Sequence, residues 1–570
     1  MQPTSEDPAS RGSLSDLYSI EGTLPRPSSR KPSTYWYWNL LYAALLVAVV
    51  VLLFLTGAPV DDAFSYPDAP RHALNGAFML DLIRDHPFAN PTAYSMNYYI
   101  RYPALTILFY PPLFYVLLAA FYAVFGVSQS AALGAMFVCY VALAIGCFRL
   151  ARFWLSPLEA FGVALILAGA PEIAYWGRQV MLEIPAFALI VWSAVFVVRY
   201  LHERRIAWLY LGIALTVLAM YVKLTSGFFL IVCAAVLFET RGKALLRDRH
   251  SYIIALLAVI AIIPLLILTL KFGQTNIQSV RGSADGDVTG TSISEWVWYA
   301  KQLPTQIGWP CLAATAVGLG LIMARRNSVS QCTILLLWFA IGYLFFSAIS
   351  LKDTRFDVAV LFPIAMFAAI GMRGILARWP RTAGPAIVVL GIVTFGLTYF
   401  GRPVQYVSGY REVTDYIAKT APRNSVLVFS GYRDGSFIFS MRTHEERRDL
   451  WIIRSDKLLL KIAVSRSQGV QQKLMSADAI AKMLDDLGVR YVIAQPGFWT
   501  DLEAMRRFEE VLHSPHFELV RSFPMRANYH AQENEIVVYR NLGHIASRPA
   551  DLKIDIPMIN RTMSSVVNKN

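Results

Sequence analysis

In a chain where charge is scarce, a small set of acids and bases sits where charge is costly. Asp61, Asp62, Asp68, Arg71, Arg101, Arg178, Glu183, Lys223, Lys352, Asp353 and Arg355 each lie in or beside an apolar run. A carboxylate so placed offers a general base, and Lys or Arg offers a hold on an anion. Ionisable groups in membrane segments are a functional hypothesis by default, because burying them is expensive. Each also has a plainer reading. Asp61 and Asp62 suit a solvated helix exit, Arg101 a headgroup anchor, and His72 a hydrogen bond on a helix face. Glu183 in "RQVMLEIPAF" opens a helix, where the dipole favours an anion, so capping and chemistry stand level there. Lys223 in "LAMYVKLTSGFFL" is apolar on both sides, a poor place for a simple anchor, and function stands ahead.

The elements that carry these residues are membrane helices. The chain has 570 residues, 56% hydrophobic and 16% charged, with a mean hydropathy of +0.45, too apolar for a soluble multidomain protein. Apolar runs from Trp38 to Phe400 scatter around the roughly 20 residues that a bilayer requires. The net charge of +13 does not point to nucleic acid. Its basic residues cluster between runs, as Arg199/Arg204/Arg205, Arg241/Lys243/Arg247/Arg249, Arg325/Arg326 and Arg373/Arg378/Arg381, the pattern of cytoplasmic loops. The five cysteines show no metal-ligand spacing and imply no disulfide framework. Residues 1–35 are expected to be a disordered cytoplasmic tail, and the run Trp38–Ala58 an uncleaved anchor.

If that tail stays inside, alternation of the runs brings the isolated charges to the outer ends of the helices. The transmembrane region spans residues 36–400, with about 11 to 13 crossings expected. One stretch breaks the parity. Between Tyr102 and Arg149/Arg152 lie two apolar runs, Ala104–Phe125 and Ala131–Phe148, where an odd number of crossings is needed. Either one run is not a full span or the charge rule fails there. Residues 401–570 change grain: "SVLVFSG", "RYVIAQPG" and "EIVVYRN" read as strands, and "SADAIAKMLDDLGV" reads as a helix stopped at Gly488. This is a soluble α/β domain, expected on the extracytoplasmic side. The Gly-rich segment 281–292 reads as a mobile linker, since Asp285 and Asp287 lack the other ligands of a calcium loop.

The motifs resemble a known family. "DAPRHA" at Asp68–Ala73 is similar to the Asp-Glu-x-Arg-x-Ala motif of lipid A aminoarabinose transferase and related protein O-mannosyltransferase-like enzymes. "FYPPLFY" at 109–115, "VMLEIP" at 180–185, "YVKLTSG" at 221–227 and "LKDTRFDVAVLFP" at 351–363 resemble that family's later signatures, in the same order. The resemblance implies an α-helical polytopic membrane protein of GT-C fold in the inner membrane. It implies an inverting glycosyltransferase that takes a polyprenyl-phosphate-linked sugar and passes it to a lipid, glycan or protein acceptor. No cofactor is implied; a divalent metal is compatible, but nothing in the motifs indicates one. Three positions depart from the pattern: Ala69 stands where relatives carry Glu, Tyr110 where the aminoarabinose transferases carry Lys, and Glu183 where they carry Asp.

On this resemblance Asp68 is the candidate base and Glu183 the second catalytic acid. Lys223, Lys352, Arg355 and Arg178 form the phosphate clamp. Arg71, at i+3 from Asp68, is expected to orient the carboxylate, with Tyr110 beside it. Rival classes are a transporter, a lipid-carrier polymerase or ligase, and a catalytically impaired relative. Charges gathered at one face, without inverted repeats, speak against the transporter.

Overall fold

The computed structural model describes residues 35–57, 64–106, 109–273, 292–324, 332–462, 466, 469–544, 550–556 and 561–567. Expectations placed on residues 1–34, on Asp61 and Asp62, on 281–291 and on Arg325/Arg326 lie outside the described residues.

The first helix, α1 (Tyr35–Gly57), is followed by two helices that are not membrane spans, α2 (Ala69–Asp85) and α3 (Pro91–Arg101). Then come α4 (Leu113–Phe125), α5 (Gln129–Ala151), α6 (Pro157–Gly169), α7 (Pro171–Gly177), α8 (Glu183–Glu203), α9 (Ile206–Val222), α10 (Phe228–Arg241) and α11 (Arg249–Phe272). Helices Trp309–Met323, Thr333–Ser347, Leu361–Ile375 and Ala383–Gly401 complete the bundle. The ends are set by local chemistry. Ser156 and Glu159 form a capping box at the start of α6, and Arg204 turns α8 into α9 in a left-handed conformation with φ 58.

Among the described residues six helices are long and apolar enough to cross a bilayer, or seven if α6 and α7, bent by 64°, count as one broken span. The remaining apolar helices fall short of the 20-residue rule, so length alone does not reach the expected count of crossings. Packing still pairs short with long. α9 lies antiparallel to α8, with Lys223 against Glu183 at one end, Ser193 Oγ donating to Gly212 O at 2.7 Å midway, and Arg199 over the Trp208 ring at the other. Helices Trp309–Met323 and Leu361–Ile375 cross backbone to backbone. A Cβ added at Gly318 would lie 1.9 Å from Phe367 O, so only small residues permit the contact.

The parity problem resolves at α4. Tyr42, early in α1, packs on Phe148, and Phe54, late in α1, packs on Phe137, so α5 runs antiparallel to α1 and ends on Arg149 at the basic end. The N-terminus of α5 therefore lies at the same end as α2. The 13-residue α4 stays there: Tyr115 meets His72, Tyr122 OH donates to Ala73 O at 3.2 Å, and Leu118 lies against Gly76. The run Ala104–Phe125 is not a span. Its described residues 104–106 and 109–112 are outside any helix, and its helix is spent covering α2.

The α/β region is built on a five-stranded mixed sheet in the spatial order Trp451–Arg454, Val426–Ser430, Val489–Ala494, Glu535–Asn541, Phe517–Pro524. The three strands read from the sequence are all present. So is the helix Ala477–Asp486, capped by Ser476, with Gly488 beyond its end at φ 72. The region is less separate than the sequence suggests, because Leu427, Phe437 and Ile452 share one hydrophobic core with α2. A cysteine at exposed Ser130, at the start of α5, is expected to react with a membrane-impermeant maleimide from the same side as one at exposed Glu412 of the α/β region. Labelling from opposite sides would refute the path given for α4 and α5.

Candidate active site

Four sequence-marked residues converge at one end of the bundle. Asp68 is the residue before α2, and its carboxylate makes no cap bond to its own helix. It is free to face Arg355, 287 positions away, whose Nη1 lies 3.2 Å from Asp68 Oδ2. Glu183 opens α8, and Lys223 closes α9. The α8–α9 hairpin brings Lys223 Nζ to 2.7 Å from Glu183 Oε1. Arg355 Nε is 3.6 Å from the same Glu183 oxygen and 3.1 Å from Asp353 Oδ2. One guanidinium thus faces three carboxylates, and a second cation shares one of them.

Arg355 is held by its loop. Its backbone N–H donates to Asp353 Oδ1 at 3.1 Å, and buried Gln306 Nε2 donates to Thr354 O at 2.8 Å and to Asp357 Oδ1 at 2.6 Å. The guanidinium stacks 4.7 Å from the Tyr66 ring centroid, 5.2 Å from Phe356 and 5.5 Å from Trp176, and Lys223 Nζ lies 4.6 Å from Phe356. These rings exclude water and strengthen every charge interaction among them. Burial raises the pKa of Asp353, against the pull of Arg355. Glu183 is 5% exposed, and its Oε2 is buried without a hydrogen-bond partner. A buried acceptor left open costs free energy.

Other expected residues fall differently. Arg71 does not orient Asp68: it donates to both carboxylate oxygens of Asp434 at 2.9 Å. Lys352 turns away and donates to the carbonyls of Ser347 and Ile349 at the end of helix Thr333–Ser347. Arg178 is buried beside Gly57, with its Nε donating to Ala174 O at 2.8 Å. Arg101 leaves the site for Trp451 and Arg448 O. Tyr110 does join, its ring edge-on to His72 at 4.9 Å between centroids. Sequence reasoning passed over Gln306, Tyr66 and Trp176. Only the place of Tyr66 two residues before Asp68 marked any of them. Among the described residues no cluster of three His, Cys, Asp or Glu side chains is spaced to hold a metal ion.

Residues 110–268 match the family model of the dolichyl-phosphate-mannose-protein mannosyltransferases, a stretch that includes Tyr110, Glu183 and Lys223 but not Asp68 or Arg355. No curated protein matches the chain. Among solved structures it is similar to ArnT from Cupriavidus metallidurans bound to undecaprenyl phosphate, at 14% identity and a TM-score of 0.59 over 90% of this chain and 99% of that one. It is also similar to the arabinofuranosyltransferase AftD from Mycobacteria, at 13% identity and a TM-score of 0.52 over 90% of this chain and 43% of that one. The Archaeoglobus fulgidus oligosaccharyltransferase follows, at 12% identity and a TM-score of 0.50 over 80% of this chain and 68% of that one. The architecture is the GT-C fold of a multi-pass membrane protein, and the resemblance drawn from five sequence motifs holds.

His72 gives the site a pH signature. It is 1% exposed, bonded through Nδ1 to Tyr115 OH at 2.9 Å, and burial pushes its pKa down from 6.5 to about 4, against the pull of Asp68 and Glu183. Between those values the unfolded chain binds a proton that the folded chain refuses. Stability therefore falls as pH drops through that window, by on the order of 3 kcal/mol at its acid end. Thermal melts in detergent from pH 7 to pH 4 should show this loss, and His72→Gln should shed most of that slope. An unchanged slope in the variant would assign the loss elsewhere.

Proposed function

We propose that this chain transfers a sugar from a polyprenyl-phosphate-linked donor to a hydroxyl of a lipid, glycan or protein acceptor, with inversion at the anomeric carbon. The observation that carries the reading is Arg355, shared between Asp68 at 3.2 Å and the Glu183–Lys223 pair. That arrangement joins a base to a hold on phosphate. The likeness to ArnT bound to undecaprenyl phosphate supports this donor class. The basic clusters at the opposite end of the bundle support an extracytoplasmic site in the inner membrane.

In this reading the acceptor oxygen attacks the anomeric carbon as its proton passes to Asp68. The bond from that carbon to the phosphate oxygen breaks, and its electron pair leaves with the polyprenyl phosphate. A single displacement from the opposite face inverts the centre. The leaving phosphate gains one negative charge, and Arg355 and Lys223 answer it as it builds. Arg suits a bidentate hold on phosphate and Lys a point charge. Glu183 keeps both cations in place, and its open Oε2 accepts a hydroxyl of the donor sugar. Arg178 and Lys352, paired elsewhere, take no part. His72, kept neutral and buried, is a packing partner rather than the base.

The variants should fail in different ways. Asp68→Asn is nearly isosteric, so donor affinity should hold while turnover falls by about 10²–10⁴-fold. Lys223→Ala and Arg355→Ala should weaken donor binding as well as turnover, because a phosphate clamp acts before and during the transition state. The measurement is transfer of radiolabel from polyprenyl-phosphate sugars in nanodiscs, with donor affinity determined in parallel. Full transfer by Asp68→Asn would remove Asp68 as the base. Uptake of solute without transfer in any variant would replace the enzyme with a transporter.

A further inference from the structure

The α/β region reaches the site through α2. Arg71 donates through one nitrogen, Nη2, to both carboxylate oxygens of Asp434, at 2.9 Å each, and Asp434 is itself held by Arg454 at 2.6 Å. Ten residues on, roughly 15 Å along the helix axis, Asp81 receives Arg442 at 2.6 and 2.7 Å, with Tyr98 OH at 2.8 Å; both charged side chains are 0% exposed. Arg71 and Asp81 belong to α2, and Asp434 and Arg442 to the helix Asp434–Thr443 packed along it. Between the two helices the backbones come close. A Cβ built on Gly435 would lie 3.1 Å from Pro70 Cγ and 3.6 Å from Pro70 Cβ.

A rod held at one point swivels, whereas a rod held at two points 15 Å apart neither slides nor rolls. Asp68 is the residue just ahead of this rod and has no cap bond of its own. Its 3.2 Å contact with Arg355 therefore depends on where α2 is fixed. The hydrogen bonds that α2 makes with the membrane side go to Tyr115, Tyr122 and Thr106, all neutral side chains. The charged, directional contacts come from the α/β region.

We infer that the α/β region is a clamp that positions the candidate base: Asp434 through Arg71, and Arg442 through Asp81, fix α2 so that Asp68 stays on Arg355. This rests on the glycosyl-transfer reading for its kinetic consequence and on geometry alone for its mechanical one. Arg71, Asp434, Arg442 and Asp81 are positioning residues. A misplacement of the order of 1 Å at a reacting group costs about a hundredfold in rate. Loosening the clamp should thus lower turnover and leave donor affinity alone, since Arg355 and Lys223 sit on other elements.

The test uses the full chain in nanodiscs with two readouts, transfer kinetics and hydrogen–deuterium exchange of the α2 backbone. Asp434→Asn should exchange faster over residues 69–76, with kcat lowered by about tenfold to a hundredfold and the donor KM little changed. A disulfide from Pro70→Cys with Gly435→Cys, whose Cβ separation suits one, should restore slow exchange and turnover in the Asp434→Asn background, and reduction should abolish the rescue. Unchanged exchange in Asp434→Asn would overturn the clamp, as would a loss of kcat that follows thermal unfolding and ignores the cross-link. If the unaltered chain moves no sugar, the glycosyl-transfer reading fails, while the exchange and cross-link results still decide the clamp.

Discussion

A guanidinium withdrawn from water at the end of a membrane bundle must be answered by anions, and Arg355 is answered by three. Asp68, Glu183 and Asp353 come from three separate parts of the chain, and they meet because one cation makes each of them affordable to bury. Removing a single partner from such a group leaves an uncompensated charge, at a cost of about 3–5 kcal/mol. The constraint reaches outward. The α8–α9 hairpin must set Lys223 on Glu183, Gln306 must hold the loop on both sides of Arg355, and the aromatic rings must keep water out.

The same balance shapes what can enter. Three carboxylates face two cations, so with every group ionised the cluster is negative, and a phosphodiester approaching it would be repelled. Burial raises the pKa of Asp353 against the pull of Arg355. An incoming phosphate also has to take over cation contacts that the carboxylates now hold, and the carboxylate released from Arg355 becomes a stronger proton acceptor. In this scheme donor arrival and base activation are one exchange of partners around a single guanidinium. A free, fully exposed clamp of lysines would bind phosphate without coupling it to a base.

How much of this the sequence disclosed depends on the range of the interaction. Helix positions were legible because apolar length and caps are local: Glu183, read as a helix start, opens the helix Glu183–Glu203, and the apolar run before Lys223 is the helix Ile206–Val222. The members Asp68, Glu183, Lys223 and Arg355 were legible because each is a charge in apolar surroundings, and they do meet. Partners were not. Spacing of i+3 placed Arg71 beside Asp68, but a carboxylate 363 positions away holds it instead. Lys352 and Arg178 carry the same signal of an isolated charge, yet one caps carbonyls and the other is buried beside α1, because helix direction decides where a long side chain ends. The run Ala104–Phe125 misled for a related reason: hydropathy does not say what an apolar face packs on, and the buried face of α4, Phe114, Tyr115, Leu118, Ala119 and Tyr122, is spent on protein.

α2 shows why a membrane site of this kind needs a water-soluble region. Eleven of its 17 residues are buried, and they include His72, Asn75 and Asp81 as well as Leu74 and Phe78. A helix with polar groups buried on one face and apolar groups on another satisfies neither lipid nor water. α4 and Thr106 meet part of its demand from the bundle side. The acid at Asp81 needs a cation in a place without water, and among the described residues the cations on it, Arg442 and at 3.7 Å Arg448, come from the α/β region. The segment that carries the candidate base is therefore packed by the bundle on one side and ion-paired to the α/β region on the other. Residues more than 350 positions downstream lie against it, so on the clamp inferred above the α/β region belongs to the site's construction as much as the membrane helices do.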